Sequence, residues 1–288
     1  MTQNSLFKNL IDYAGLFPPA KLDMQPAVDE YARQRVSSEA WMLARFIVPV
    51  ARLDEFRNAA NVHFVSGDPW PLSVLAVTDE DRSKIDAFNA ANAGRAVVEA
   101  VETRATTAAE VAERAKTFAG LETYVEIPYQ GDIDPLLAAI AAEGLRAKIR
   151  TGGVTADAFP ASPEVARFLA AAQRAGVAMK ATAGLHHALR GEYRLTYEND
   201  SPNGTMHGFL NVFLAAALAR SGGTEQELAE LLEERDANAF SFSGDAVVWR
   251  GNSLDVGEAR KNFTSSYGSC SFQEPVDELR DLGLLPTG

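Results

Sequence analysis

The stretch Arg146-Ala147-Lys148-Ile149-Arg150-Thr151 decides how the chain is read, together with Ala178-Met179-Lys180-Ala181-Thr182-Ala183 a helix-length further on. Each alternates side-chain character with the period of a β-strand. Between them, Ser162-Pro163-Glu164 reads as a helix start with proline in the first turn, and Gly176 as a helix stop. Strand, helix and strand in that order predict a parallel crossover unit.

The alternation continues in both directions. Further strands are predicted at Leu10–Gly15, Arg45–Val50, Leu72–Val77, Ala96–Val101, Thr123–Pro128 and Ala239–Ser243. Helices are predicted at Thr106–Ala119, and at Leu136–Glu143 after the start signal Asp134-Pro135. Eight such units in 288 residues predict an α/β protein, a (β/α)8 TIM barrel forming one domain over residues 1–288. The rival is a doubly wound open sheet. Against it, no glycine-rich phosphate loop follows the first strand. Two regions depart from the repeat: an inserted loop near 184–208 and an irregular segment near 244–275. Phe240–Trp249 reads either as the last strand alone or as a hairpin turning at Gly244-Asp245.

Composition narrows the functional classes. With 47% hydrophobic residues and one cysteine, the chain can build a core and has no intrachain disulfide. It carries 27 basic and 39 acidic residues, a net charge of −12, which disfavours nucleic acid or an anionic membrane as partner. The longest apolar run, near Phe209–Ala219, is broken by Asn211 and falls short of the roughly 18 residues of a membrane span. MTQNSLFKNLIDY lacks the pattern of a signal peptide, so a cytoplasmic location is expected. A homo-oligomer remains compatible with all of this.

Strand alternation assigns side chains to the lumen. Ala147 and Ile149 face the helices, leaving Arg146, Lys148 and Arg150 inside. Met179, Ala181 and Ala183 face outward, leaving Lys180 and Thr182 inside, and Glu126 points inward from Thr123–Pro128. Adjacent strands thus send Glu126, Lys148, Arg150 and Lys180 toward one cavity. Clustered cations are expected to lower a lysine's pKa, and a neutral lysine attacks carbonyls to form an imine. Glu126 would then move protons. The bland alternative is a structural Lys148–Glu126 ion pair.

The segment Lys148–Arg190 resembles the class I aldolases of the deoxyribose-phosphate type. Lys148-Ile149-Arg150-Thr151-Gly152 matches that family's sixth-strand K-x-x-T-G, and Lys180 with Gly184 matches its seventh-strand lysine and glycine. The resemblance implies a Schiff base on Lys148, tuned by Lys180, with Glu99 in a proton relay where the family has aspartate. It makes Arg150, Thr151, Gly152, Thr182 and Gly184 substrate-binding candidates, and it implies no cofactor. The sequence also departs from the family. Ala183-Gly184-Leu185 replaces the glycine pair that binds phosphate, His186-His187 has no counterpart, and Gly268-Ser269-Cys270-Ser271 falls after the segment read as strand eight. A small carbonyl or anionic substrate is therefore expected, of unassigned identity.

Three of the four histidines, His186, His187 and His207, bracket the long loop. His186 and His187 read as substrate-binding or acid–base groups. Alternatively they are ligands of a divalent metal completed by Glu126 or Asp200, in a hydrolase or isomerase. Adjacent histidines that merely cap a strand are the simpler reading. Asp12-Tyr13-Ala14-Gly15-Leu16-Phe17-Pro18-Pro19-Ala20 reads as a structural turn, with Asp12 or Tyr13 reaching the barrel mouth as the alternative, and Phe263–Pro275 as a lid or anion nest. Cys270 has no base nearby in sequence and receives no role. A non-catalytic ligand-binding or accessory barrel is the remaining class.

Overall fold

A computed structural model of the protein describes residues 5–243 and 246–286. The strands β1 (Ile11–Tyr13), β2 (Leu43–Pro49), β3 (Trp70–Leu75), β4 (Ala96–Arg104), β5 (Glu122–Glu126), β6 (Arg146–Arg150) and β7 (Met179–Thr182) succeed one another around a parallel barrel. The hairpin strands β8 (Gly191–Arg194) and β9 (Asn203–Met206) interrupt the repeat, as does an antiparallel sheet of β10 (Phe240–Ser243), β11 (Ala246–Trp249) and β12 (Asn252–Asp255). The last strand, β13 (Thr264–Ser269), lies between β7 and β1 and closes the eight-stranded barrel. The α/β reading and the TIM barrel therefore hold.

The eighth strand is not where the sequence placed it. Phe240–Ser243 pairs antiparallel with Ala246–Trp249 outside the barrel, so a hairpin forms there; its turn, Gly244-Asp245, lies outside the described residues. Thr-Ser-Ser-Tyr-Gly-Ser, the true closing strand, contains no aliphatic residue and carries no hydrophobic alternation. Neighbours on both sides supply its hydrogen bonds, and Asp12 takes one of its hydroxyls, so tertiary pairing overrides weak local propensity.

Helices return the chain between strands. They are α1 (Met24–Gln34), α2 (Leu53–Ala60), α3 (Asp79–Ala91), α4 (Ala108–Thr117), α5 (Asp134–Ala142), α6 (Ser162–Arg174), α7 (Phe209–Arg220), α8 (Glu225–Leu232), α9 (Val256–Asn262) and α10 (Gln273–Asp281). Thr78 and Thr107 cap α3 and α4 through reciprocal bonds with Asp81 and Glu110. Phe209 through Ala219 are all buried, because α6, α8 and α9 cover α7 on several sides. That is why this longest apolar run shows no amphipathic stripe. Among the described residues no helix is long and apolar enough to cross a membrane. The inserted loop at 184–208 carries a hairpin, in which β8 and β9 pair.

Candidate active site

Parallel register lines up charged side chains at the C-terminal ends of four adjacent strands. Glu126 pairs in register with Lys148, and Lys148 with Lys180. Glu102, two residues before Arg104, arrives from β4, where Arg104 is level with Glu126. Neighbouring strands lie about 4.8 Å apart, so inward side chains at one level must touch.

They form a continuous chain of charge. Lys148 Nζ lies 2.9 Å from Glu126 Oε2 and 2.8 Å from Glu102 Oε2. Lys180 Nζ lies 2.7 Å from Glu102 Oε1 and 2.5 Å from Asp12 Oδ2. Ser73 donates to Glu102, and Ser266 donates to Asp12, whose other oxygen accepts from the Arg45 amide. Below the network the Tyr124 ring faces Lys180, its centroid 5.2 Å from Nζ. Every charged group in the buried part thus meets opposite charge, and the carboxylates Glu102 and Asp12 take further hydrogen bonds, which favours keeping these ions out of water.

These partners reverse the expected effect on the lysines. Burial disfavours the Lys148 ammonium, but Glu102 and Glu126 outweigh burial and hold its pKa above the ordinary lysine value. Lys180 is likewise raised: burial opposes its charge, and Asp12 and Glu102 prevail. Burial also opposes the Glu102 carboxylate, yet Lys148 and Lys180 keep it well below the usual carboxylate range. The sequence located the cations but underweighted the interleaved carboxylates, which dominate at contact distance.

Lys148 opens onto a cavity of about 470 Å³ at the C-terminal mouth, with Glu102, Glu126, Arg150, Thr182, Gly184 and His186 among its lining. A larger cavity of about 1010 Å³ lies at the opposite end, where Arg45, Glu99, Glu122, Arg146 and Arg260 meet. Its charges largely satisfy one another: Arg45 binds Glu99 and Glu122 at 3.2 and 3.0 Å, and Arg146 binds Glu122 at 3.3 Å. Catalytic sites in such barrels form at the C-terminal mouth, which favours the smaller cavity.

The expected residues divide accordingly. Glu126, Lys148 and Lys180 come together, and Arg150 reaches the same cavity with its side chain exposed. Glu99 does not join them; it sits at the far end against Arg45, and Glu102 occupies the place assigned to it. Residues 99 and 102 are separated by an odd interval, and the irregular register between β3 and β4 obscures which one points in. Arg146 belongs to the far end as well. Thr151 is buried, donating to the Ala183 and Thr182 carbonyls at 2.7 and 3.2 Å, so it ties the ends of β6 and β7 together. Gly152 and Gly184 face each other there: a Cβ built on Gly152 would lie 2.9 Å from the Gly184 Cα.

His186 and His187 diverge. His186 lines the cavity with Nδ1 3.6 Å from Cys270 Sγ. His187 contacts Glu278 at 2.5 Å and stacks on Tyr193. Among the described residues no three His, Cys, Asp or Glu side chains form a group suited to a metal ion. Burial, and to a lesser degree His187, push the His186 pKa down to about 4; burial raises the Cys270 thiol to about 11. Both are neutral near pH 7.

Sequence alone gave Glu102 no role, and for Asp12 it favoured a structural turn over a place at the mouth. Asp12 is the middle residue of a short strand whose following loop was read as a turn, although Ala14, Phe17, Pro18 and Pro19 line the mouth. Its signal was an acidic residue within an apolar strand, which only a buried cation could stabilise. Gly268 and Cys270 also reach the cavity, and Gly268-Ser269 ends the closing strand instead of following it.

The fold and the site together define a parallel (β/α)8 barrel with a buried lysine–carboxylate network at its C-terminal mouth. Compared with protein-family models and with curated proteins, the chain matches none of them. The functional reading therefore rests on the geometry of the site.

Proposed function

We propose that the protein is an aldolase-type lyase that acts on a small carbonyl substrate through an imine on Lys148. The observation that carries this reading is the Lys148 ammonium, which borders the mouth cavity between two carboxylates while a second buried lysine anchors one of them. A barrel needs no such arrangement for stability, because well-packed apolar residues would serve as well or better.

Resting Lys148 is charged, so its proton must leave before it can attack. Glu126 is the acceptor at hand: it lies 2.9 Å away and its side chain is 30% exposed toward the cavity. Glu102 is a poor acceptor because two lysines hold it ionised. The freed amine adds to the substrate carbonyl carbon, forming a C–N bond, and the carbonyl oxygen leaves as water after protonation. The resulting C=N⁺ keeps a positive charge beside Glu102, so the buried charge balance survives the covalent step. Cleavage of the neighbouring C–C bond sends its electron pair into the iminium, giving an enamine. The proton of the departing fragment's hydroxyl passes to Glu126 or to a water it holds. Protonation of the enamine carbon and hydrolysis by water release the second fragment and restore Lys148.

Borohydride treatment in the presence of small aldehydes and ketones tests the reading by mass. The expected result is a reduced adduct on Lys148 that is absent from Lys148→Ala. Absence of any adduct, together with lyase activity that survives Lys148→Ala, would overturn it. A non-catalytic barrel would give saturable ligand binding without an adduct.

A further inference from the structure

The walls of the mouth cavity differ in charge. On the β7 and β13 side stand Thr182, Gly184, His186, Gly268 and Cys270, with no lysine or arginine among the described lining residues there. On the β4 and β6 side stand Arg104 and Arg150. Neither arginine makes an ion pair or a side-chain hydrogen bond within the described residues, whereas Arg45, Arg52, Arg82, Arg190 and Arg280 each bind a carboxylate.

The acids lining the same cavity are engaged elsewhere. Glu126 is level with Arg104 in the β4–β5 register, yet its carboxylate turns to Lys148. Glu102 is shared between Lys148 and Lys180. Asp81 caps α3, accepting from the Val77 and Thr78 amides at 2.8 and 3.0 Å. Two arginines in a chain with 39 acidic residues therefore line a cavity with no carboxylate paired to them among the described residues. A guanidinium presents a planar fork of donors that matches a carboxylate or a phosphate.

We propose that Arg104 and Arg150 form a subsite for an anionic terminus, carboxylate or phosphate, of the substrate whose carbonyl meets Lys148. Arg150 lies two residues beyond Lys148, about 6.6 Å along the strand, and Arg104 lies two strand spacings away, about 9.6 Å. The anion thus sits a few bonds from the carbonyl, above β4 to β6. This is the opposite side from the seventh- and eighth-strand phosphate site implied by the aldolase resemblance. His186, neutral beside Cys270, is left on the uncharged wall to meet a hydroxyl or carbonyl oxygen. The inference rests on the imine reading for the position of the carbonyl, but not for the existence of the anion site.

Matched probes test it. Borohydride trapping on Lys148 is compared for pyruvate against hydroxyacetone, and for dihydroxyacetone phosphate against dihydroxyacetone. The expected result is half-maximal trapping at about tenfold lower concentration for an anionic probe, the scale of one partly solvated charge-assisted hydrogen bond. The pyruvate and phosphate arms tell which anion is preferred. Arg104→Gln and Arg150→Gln should each abolish most of that advantage, lowering trapping of the anionic probes more than that of their neutral counterparts. Equal trapping of charged and neutral probes, or an advantage that survives both substitutions, overturns the proposal. Calorimetry with inorganic phosphate and with acetate separates this from failure of the imine chemistry. Saturable binding of either anion that persists in Lys148→Met and disappears in the Arg104→Gln, Arg150→Gln double variant supports the subsite even without an adduct. No saturable binding of either anion by the unaltered protein counts against it.

Discussion

Lys180 Nζ and Glu102 Oε1 lie 2.7 Å apart inside the barrel, the lysine side chain fully buried and the glutamate 1% exposed. Glu102 also holds Lys148 through its second oxygen, so one carboxylate separates two ammonium groups. Breaking a buried pair by removing one partner costs more than the pair contributes, because the remaining charge stays out of water.

Glu102→Gln is accordingly expected to destabilise the fold by about 3–5 kcal/mol, the range for an orphaned buried charge. Urea unfolding at pH 7 measures it. A loss below about 1 kcal/mol, the size of an exposed pair, would show that water reaches the network.

Glu126→Gln should alter imine formation in a specific way. Glu126 raises the Lys148 pKa, so the carboxamide is expected to move the pH at which trapping becomes half-maximal downward. It also removes the proton acceptor, so the plateau rate should fall by roughly 10²-fold or more, the scale of lost general-base catalysis. Trapping rates across pH separate the two effects. A midpoint that moves upward would contradict the ion-pair geometry.

Acidification should weaken the fold through histidine. His207 donates from Nε2 to the Pro160 carbonyl and accepts at Nδ1 from Arg190; burial pushes its pKa down to about 4, as burial does for His186. Unfolded histidine binds its proton near 6.5, so the folded state favours the neutral ring. The stability this contributes is complete above that value and is lost as pH falls toward 4, at most about 3 kcal/mol per histidine. Stability measured between pH 7 and 5 should decline, and His207→Gln should flatten the decline. Glu102 adds to the loss only lower on the scale, because its folded pKa lies below the ordinary carboxylate value.

Gly152→Ala should disturb the ends of β6 and β7. The new methyl would lie 2.4 Å from Phe159 Cε1 and 2.9 Å from the Gly184 backbone, and the backbone cannot simply turn aside. An overpacking cost of about 1–3 kcal/mol is expected. Thermal unfolding measures it, and an unchanged midpoint would mean that the crossing is loose.

Much of the barrel was legible because strand and helix periods are local. Arg146–Arg150 and Ser162–Arg174 announce themselves through alternation, proline and glycine, with nothing required from elsewhere in the chain. The inward placement of Lys148, Lys180 and Glu126 follows from the same alternation. What the alternation cannot contain is distance between strands. The polar Thr264–Ser269 becomes a barrel strand only because β7 and β1 leave an open edge on either side of it. Asp12 meets Lys180 across a separation of 168 residues. Glu102 replaces Glu99 because barrel register, not spacing along β4, selects the residue that reaches Lys148.

The sequence by itself thus determined the repeating unit, the sidedness of its strands and the presence of buried cations. Tertiary structure alone decided which carboxylates meet those cations, and with that the sign of the lysine pKa shift. The reason is that Coulomb energy depends on separation in space, where a contact near 3 Å outweighs every pattern readable along the chain.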